Sequence, residues 1–179
     1  MKDGKTMPDI YEINRAIHTK HLDIGVERVI DVWSDGQFKI IYAQLSVRDR
    51  EEPNYFHQLD ELRIYKNDTL IAQHSPKLDP YVTVTNGIVC MTSDEECWLY
   101  DLSRNIENTI GMEIVAFWHR LEFDSDGSLR KEIPNTFCVT GTGCYWGFES
   151  WPQEFEYYID KDTLERVDSE VWEMEEENG

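Results

Sequence analysis

Short runs of alternating apolar and polar residues, separated by turn-forming pairs, recur along most of this chain. A period of two is typical of strands with one buried face, because successive side chains point to opposite sides of a sheet. Asp35-Gly36 separates the runs VERVIDVW and QFKIIYAQLSV, and Asn86-Gly87 separates YVTVT and IVCMTS. Such pairs supply the positive φ angles of tight hairpin turns. The pattern therefore predicts consecutive antiparallel hairpins.

The same pattern continues to the region of residue 173 and predicts about eleven strands in all. The connections at residues 49–60 and 103–111 are long enough to be loops or short helices. Antiparallel strands at this spacing predict a mainly β protein, an antiparallel meander that forms a sandwich, an open barrel or a strongly bent sheet. The run CWLYDLS is also typical of the last strand of a WD-repeat blade, so a small propeller is an alternative topology.

One helix is expected before the strands. Asp9 is placed to cap it, Glu12 stands three residues later in the capping-box position, and isoleucines follow at helical spacing. The 179 residues fit a single domain. Its expected parts are an N-terminal helix at 9–21, a β meander at 26–173 and a flexible acidic tail at 174–179.

Acidic residues greatly outnumber basic ones. The chain has 36 Asp and Glu against 17 Lys and Arg, a formal net charge of −19, and residues 145–179 hold twelve acids and two bases. A surface of this sign repels phosphate backbones, so we expect no direct nucleic-acid binding. A basic protein is the partner that such a charge favours, and solubility is the other explanation of the acidity.

The first residues, MKDGKTMPDIYEINRAI, contain no apolar core of the kind that a signal peptide has. No later run approaches the length of a membrane span. We therefore expect a cytoplasmic protein that does not bind membranes. The four cysteines are expected to be reduced thiols, and two of them lie in apolar alternating runs where buried free thiols are common. They are Cys90, Cys97, Cys138 and Cys144.

Two sequence patterns approach known ligand motifs without completing them. Gly141-Thr142-Gly143 begins like a dinucleotide fingerprint, but aromatic residues and Pro152 follow instead of a helix. We expect these glycines to let the backbone bend between two strands. The segment from Glu122 has oxygen ligands at alternate positions like an EF-hand loop, but Ile133 stands where the twelfth-position carboxylate belongs.

Candidate catalytic and metal-binding residues are sparse. His18 and His21 have no third ligand near them, and neither cysteine pair has zinc-knuckle spacing. Cys144 could meet His119 or His57 only through folding, and a buried thiol with surface imidazoles is the expectation. We therefore expect no cofactor, no metal and no enzymatic activity, with an enzyme of unrecognised site as a minor alternative.

The segment EFEYYID combines aromatic and acidic residues in one strand. Alternation places Phe155, Tyr157 and Ile159 on a core face and the other residues on an acidic face, where Tyr158 is expected to be exposed. Exposed aromatics among carboxylates suit a Lys/Arg-rich partner. The candidate partner-binding residues are Glu149, Trp151, Glu154, Glu156, Tyr158, Asp160, Glu165 and Asp168. A secondary candidate is the loop that carries Tyr55, Phe56 and His57.

These observations predict a small acidic protein-binding module that neutralises a basic protein partner, as immunity proteins and antitoxins do. A carbohydrate-binding or carbohydrate-active β domain is the alternative, because Trp and Tyr side chains such as Trp146 and Tyr145 can stack on sugar rings. No set of motifs identifies a family.

Overall fold

The structure, a computed structural model, describes residues 22–49, 56–76, 80–123, 135–145 and 152–173. These residues are mainly β, as the alternation predicts. The strands are β1 (Leu22–Asp35), β2 (Phe38–Asp49), β3 (Phe56–Lys66), β4 (Thr69–His74), β5 (Tyr81–Thr85), β6 (Ile88–Ser93), β7 (Glu96–Asp101), β8 (Ile106–Gly111), β9 (Val115–Glu122), β10 (Thr136–Cys144), β11 (Gln153–Asp160) and β12 (Arg166–Glu173). The expected helix at 9–21 and the expected tail at 174–179 lie outside the described residues.

The chain divides into two compact units, Met1–Pro76 and Lys77–Gly179. The first contains one antiparallel sheet with the strand order β1-β2-β3-β4. Both sides of β3 are buried near its centre, where Ile64 is fully buried and Arg63 is nearly so. The guanidinium of Arg63 forms ion pairs with Glu61, at 3.0 Å, and with Glu27.

The second unit contains two four-stranded antiparallel meanders, β5-β6-β7-β8 and β9-β10-β11-β12. Their facing sides share one hydrophobic core, which gives this unit a sandwich-like arrangement. Apolar burial of this extent is the main stabilising contribution. The core includes Ile88, Cys90, Cys97, Leu99, Ile110, Ala116, Leu121, Phe137, Val139, Phe155, Tyr157, Ile159 and Leu164.

The hairpin turns follow the sequence pattern in most places. Asn86 and Gly87 have φ angles of 50° and 75°, as expected for a tight turn between β5 and β6. In the first hairpin only Gly36 has a positive φ, of 57°, because Asp35 is still the last residue of β1.

The connections expected at 103–111 and 49–60 are shorter than predicted. The Asp101 carboxylate accepts hydrogen bonds from the backbone N–H groups of Ser103 and Arg104, at 2.9 and 3.1 Å. This side chain closes a tight turn, so the chain is extended again from Ile106. In the other segment, Phe56 pairs with Arg48 and begins β3.

The glycines of the GTG segment lie inside β10, between β9 and β11, and not in a bend between strands. A Cβ atom on Gly141 would lie 2.1 Å from the Trp118 carbonyl oxygen and 2.7 Å from the Phe155 ring. Gly143 is equally crowded, with the Val115 carbonyl oxygen at 2.3 Å. Both glycines are therefore needed for the close approach of neighbouring groups on the core side of β10.

Among the described residues, no helix has the length and apolar character needed to cross a membrane.

Candidate functional site

The side of the β9–β12 sheet that faces away from the core carries the charged residues of the predicted site, and we call it the outer face. Register places its side chains in three rows across β9, β10 and β11. The rows are Trp118–Thr142–Glu154, Arg120–Thr140–Glu156 and Glu122–Cys138–Tyr158. Alternation therefore correctly separates Phe155, Tyr157 and Ile159, which are buried in the core, from the residues of this face.

One end of the outer face is closed. Tyr158 is only 1% exposed, so the expectation that it is an exposed aromatic is wrong. Its hydroxyl donates a hydrogen bond to Glu156 Oε1, at 3.1 Å. Alternation determines the side of the sheet to which a residue points, whereas burial on that side depends on residues distant in sequence. The Tyr158 ring therefore contributes no exposed surface to the outer face.

The thiol of Cys138 lies at the same closed end and is also 1% exposed. Burial raises the pKa of this thiol to about 12, and the carboxylates of Glu156 and Glu122 act in the same direction. The thiol is therefore neutral at physiological pH. A neutral buried thiol is a poor nucleophile, which agrees with a packing role.

The opposite end of the outer face is open. Glu154 is exposed, and Trp118 is 41% exposed. Within the part of the chain that the structure describes, no hydrogen bond or ion pair involves the Glu154 carboxylate. By contrast, the Glu122 carboxylate is paired with Arg120, at 2.6 Å. The open row therefore offers a carboxylate on β11 and an exposed aromatic ring on β9, with Thr142 between them.

The exposed aromatic pair Phe117 and Trp118 was not among the predicted site residues. A register shift in the β9–β10 ladder, between Thr142 and Gly143, leaves Phe117 without a direct partner in β10. Such a bulge interrupts the alternation, and Phe117 and Trp118 are consecutive residues that are 56% and 41% exposed. The sequence feature that could have identified them is the adjacent Phe-Trp pair, since two consecutive large apolar residues cannot both face the core of a regular strand.

The predicted residues at the end of β11 belong to a turn. Asp160 Oδ1 accepts hydrogen bonds from the backbone N–H groups of Asp162 and Thr163, at 2.8 and 2.9 Å. These backbone hydrogen bonds lower the pKa of the Asp160 carboxyl. Glu165 is exposed at the end of the same turn. Asp160 therefore shapes the connection to β12 and does not extend the open row.

The structure describes some of the remaining predicted residues and not others. Asp168 pairs with Tyr158 in the β11–β12 ladder, which assigns its backbone to the third row. Phe56 and His57 begin β3 and do not belong to a loop, because both pair with residues of β2. Glu149, Trp151 and Tyr55 lie outside the described residues.

His119 is buried between the two sheets of the second unit, so the expectation of a surface imidazole is wrong. Its Nε2 and Nδ1 atoms each lie 2.7 Å from a hydroxyl oxygen, of Thr83 and Thr92 respectively. The Tyr81 ring contacts it edge-on, with centroids 5.2 Å apart. Burial lowers the pKa of the imidazole to about 4, so it is neutral at physiological pH. Besides the two hydroxyl groups, the imidazole has a backbone hydrogen bond with Cys90, so it connects β9 to strands of the other sheet.

Cys144 is half-buried at the end of β10 and is a free thiol, as are the other three cysteines. Cys90 and Cys97 lie 3.7 Å apart at their Sγ atoms in the core. Among the described residues, no three His, Cys, Asp or Glu side chains are grouped so as to hold a metal ion.

Comparisons with known proteins add no assignment: no family model, no curated protein and no solved structure matches this chain.

Proposed function

We propose that this protein is an acidic protein-binding module that neutralises a basic protein partner, of the immunity-protein or antitoxin kind. The observation that carries the proposal is the open row of the outer face, where exposed Glu154 has no partner among the described residues and lies in register with exposed Trp118. Carboxylates steer a basic partner toward the face, and the aromatic ring supplies contact area after encounter.

The net charge of −19 supports the same partner class. Arg120, a cation on the outer face, is already paired with Glu122, so it does not neutralise the charge of Glu154 in the open row. A long-range field of this sign accelerates association with basic proteins and opposes association with nucleic acids. Free thiols at all four cysteines fit a reducing compartment, and we propose the cytoplasm as the place of action.

Affinity capture from the producing host tests the proposal. The parent protein, immobilised at low ionic strength, is expected to retain a basic protein in stoichiometric amount and to release it as salt increases. The double variant Glu154→Gln and Glu156→Gln should retain much less of it. The matched control, Asp68→Asn with Glu95→Gln, removes the same charge from two exposed turn positions and should behave like the parent.

Neutralisation is tested on the captured protein. If it is a toxin or a nuclease, its activity should decrease on addition of the parent protein and should return when the double variant is used instead. Retention that is equal for the double variant and the control would contradict the assignment of the outer face. Retention of no basic protein at low salt would contradict the proposed function itself.

A carbohydrate-binding function is the second candidate, and exposed Trp118, Phe117 and Tyr81 favour it. Aromatic rings stack on sugar faces, and Thr142 and Glu154 would supply hydrogen bonds beside Trp118. Isothermal titration with neutral oligosaccharides distinguishes the two functions, because sugar binding is nearly independent of ionic strength, whereas binding of a basic protein is not.

A further inference from the structure

The open row has the dimensions of a site for a single side chain. Trp118 and Glu154 flank Thr142 as its cross-strand neighbours in β9 and β11. Adjacent strands lie about 4.8 Å apart, so the two flanking backbones are separated by about 10 Å. The side chain of Thr142, which lies between these two backbones, is short and leaves space for another side chain. The row is therefore a shallow slot with an indole on one side, a hydroxyl in the middle and a carboxylate on the other.

Among the carboxylates that β9 and β11 contribute to the three rows, Glu154 is the one for which the described residues show neither a hydrogen bond nor an ion pair. Glu156 accepts the hydroxyl hydrogen of Tyr158, and Glu122 holds the guanidinium of Arg120. Arg120 is drawn along the sheet toward Glu122 and so does not occupy the slot. The combination of an unpaired carboxylate with an exposed indole is complementary to a cation on a long apolar stem.

We propose that the Trp118–Thr142–Glu154 row binds one cationic side chain of the basic partner, arginine in preference to lysine. This inference rests on the function proposed above. The guanidinium lies over the Trp118 indole and donates hydrogen bonds to the Glu154 carboxylate, and Thr142 Oγ1 accepts a further N–H. A planar guanidinium stacks on the ring and pairs with both carboxylate oxygens, which an ammonium group cannot do at once.

Nuclear magnetic resonance on the full ¹⁵N-labelled chain tests this subsite with a defined probe. The probe is the peptide acetyl-Gly-Gly-Arg-Gly-Gly-amide, and its control carries citrulline, which has nearly the shape of arginine without the charge. The indole N–H signal of Trp118 is assigned by its loss in Trp118→Phe. We expect the arginine peptide to shift this signal saturably, with a millimolar dissociation constant, and the citrulline peptide to leave it unchanged.

Two variants make the result specific to the row. Glu154→Gln should raise the dissociation constant of the arginine peptide by about threefold, as expected for loss of one exposed ion pair. Asp68→Asn removes the same charge from an exposed turn and should leave the affinity unchanged. Spectra that are unaltered away from the row show that both variants remain folded.

Several outcomes would overturn the subsite. They are an unchanged Trp118 signal, equal shifts with the arginine and citrulline peptides, and equal affinities in the parent and Glu154→Gln. A shift with a neutral glucose oligosaccharide but not with the arginine peptide would assign the row to carbohydrate. Host capture separates this failure from failure of the proposed function: if the basic protein is still retained through the outer face, only the arginine subsite is wrong.

Discussion

The guanidinium of Arg104 donates a hydrogen bond to the backbone carbonyl oxygen of Asp162, 2.7 Å away, and so joins the turns at the ends of the two sheets in the second unit. Arg104 also contacts the carbonyl oxygen of Lys161 and pairs with the Asp101 carboxylate at 2.8 Å. Asn108 reinforces the connection through the Leu164 carbonyl oxygen, at 2.9 Å. The β11–β12 turn is therefore held by side chains of the other sheet.

Replacement of Arg104 by Ala is expected to destabilise the protein by about 1–2 kcal/mol, because it removes the hydrogen bonds to two carbonyl oxygens and the ion pair with the Asp101 carboxylate. Arg120→Ala is the matched control, since Arg120 is exposed and its one described ion pair lies within its own sheet. This control substitution should lower the free energy of unfolding by less than about 0.5 kcal/mol. Urea unfolding of both variants measures the difference, and equal losses would contradict the role of Arg104.

His119 should make stability depend on pH. The folded-state pKa of about 4 is lower than the usual 6.5, so the unfolded chain binds the proton more readily. The contribution of the neutral imidazole is complete above about pH 6.5 and is lost as pH falls toward 4. Between pH 7 and pH 5 this residue should reduce the free energy of unfolding by about 2 kcal/mol.

The control for this prediction is His119→Gln, which keeps two hydrogen-bonding groups but does not titrate. Urea unfolding at several pH values should give a smaller decrease for the variant than for the parent over the same interval. The carboxylates contribute equally in both proteins, so the difference between the curves isolates His119. Parallel curves would show that the imidazole is not buried in its neutral form.

Gly141→Ala should be strongly destabilising. The new methyl group would meet the Trp118 carbonyl oxygen at 2.1 Å, and that atom belongs to the backbone of a paired strand and cannot rotate away. We expect a loss of about 3 kcal/mol, in the upper range for overpacking. Gly111→Ala is the control, because nothing lies within 4 Å of its Cβ position. In thermal denaturation, Gly141→Ala should have a clearly lower melting temperature than the parent, and Gly111→Ala should melt close to the parent.

The four cysteines should differ in reactivity toward a thiol reagent under native conditions. Cys144 is half-buried and should react first, whereas Cys90, Cys97 and Cys138 are at most 1% exposed and should react only as the protein opens. Burial also raises the pKa of Cys90 and Cys138, which disfavours their thiolates. Cys144→Ser should remove the fast phase, and a fast phase that persists would place a second thiol at the surface.

Much of the architecture could be predicted from the sequence because it depends on local chemistry. Alternation separates Phe155, Tyr157 and Ile159 from Glu154 and Glu156, since successive side chains of a strand point to opposite sides. Asn-Gly and Asp-Gly pairs mark hairpin turns by the φ angles that they tolerate. The β8 strand was missed because the capping role of the Asp101 side chain lies in three-dimensional geometry that a short DLSRN run does not reveal.

The exposure of individual side chains on each face could not be predicted from the sequence. Tyr158 and His119 are buried and Trp118 is exposed, although all three lie in strands of similar aromatic and polar composition. Exposure depends on which residues from distant segments cover a given point of a sheet, and no local pattern contains that information. Most of the strands, the two sides of each strand and the negative charge follow from the sequence, because they depend on local alternation and composition. The packing of the sheets and one bulge in β9 decide which aromatic and which carboxylate are exposed to solvent together.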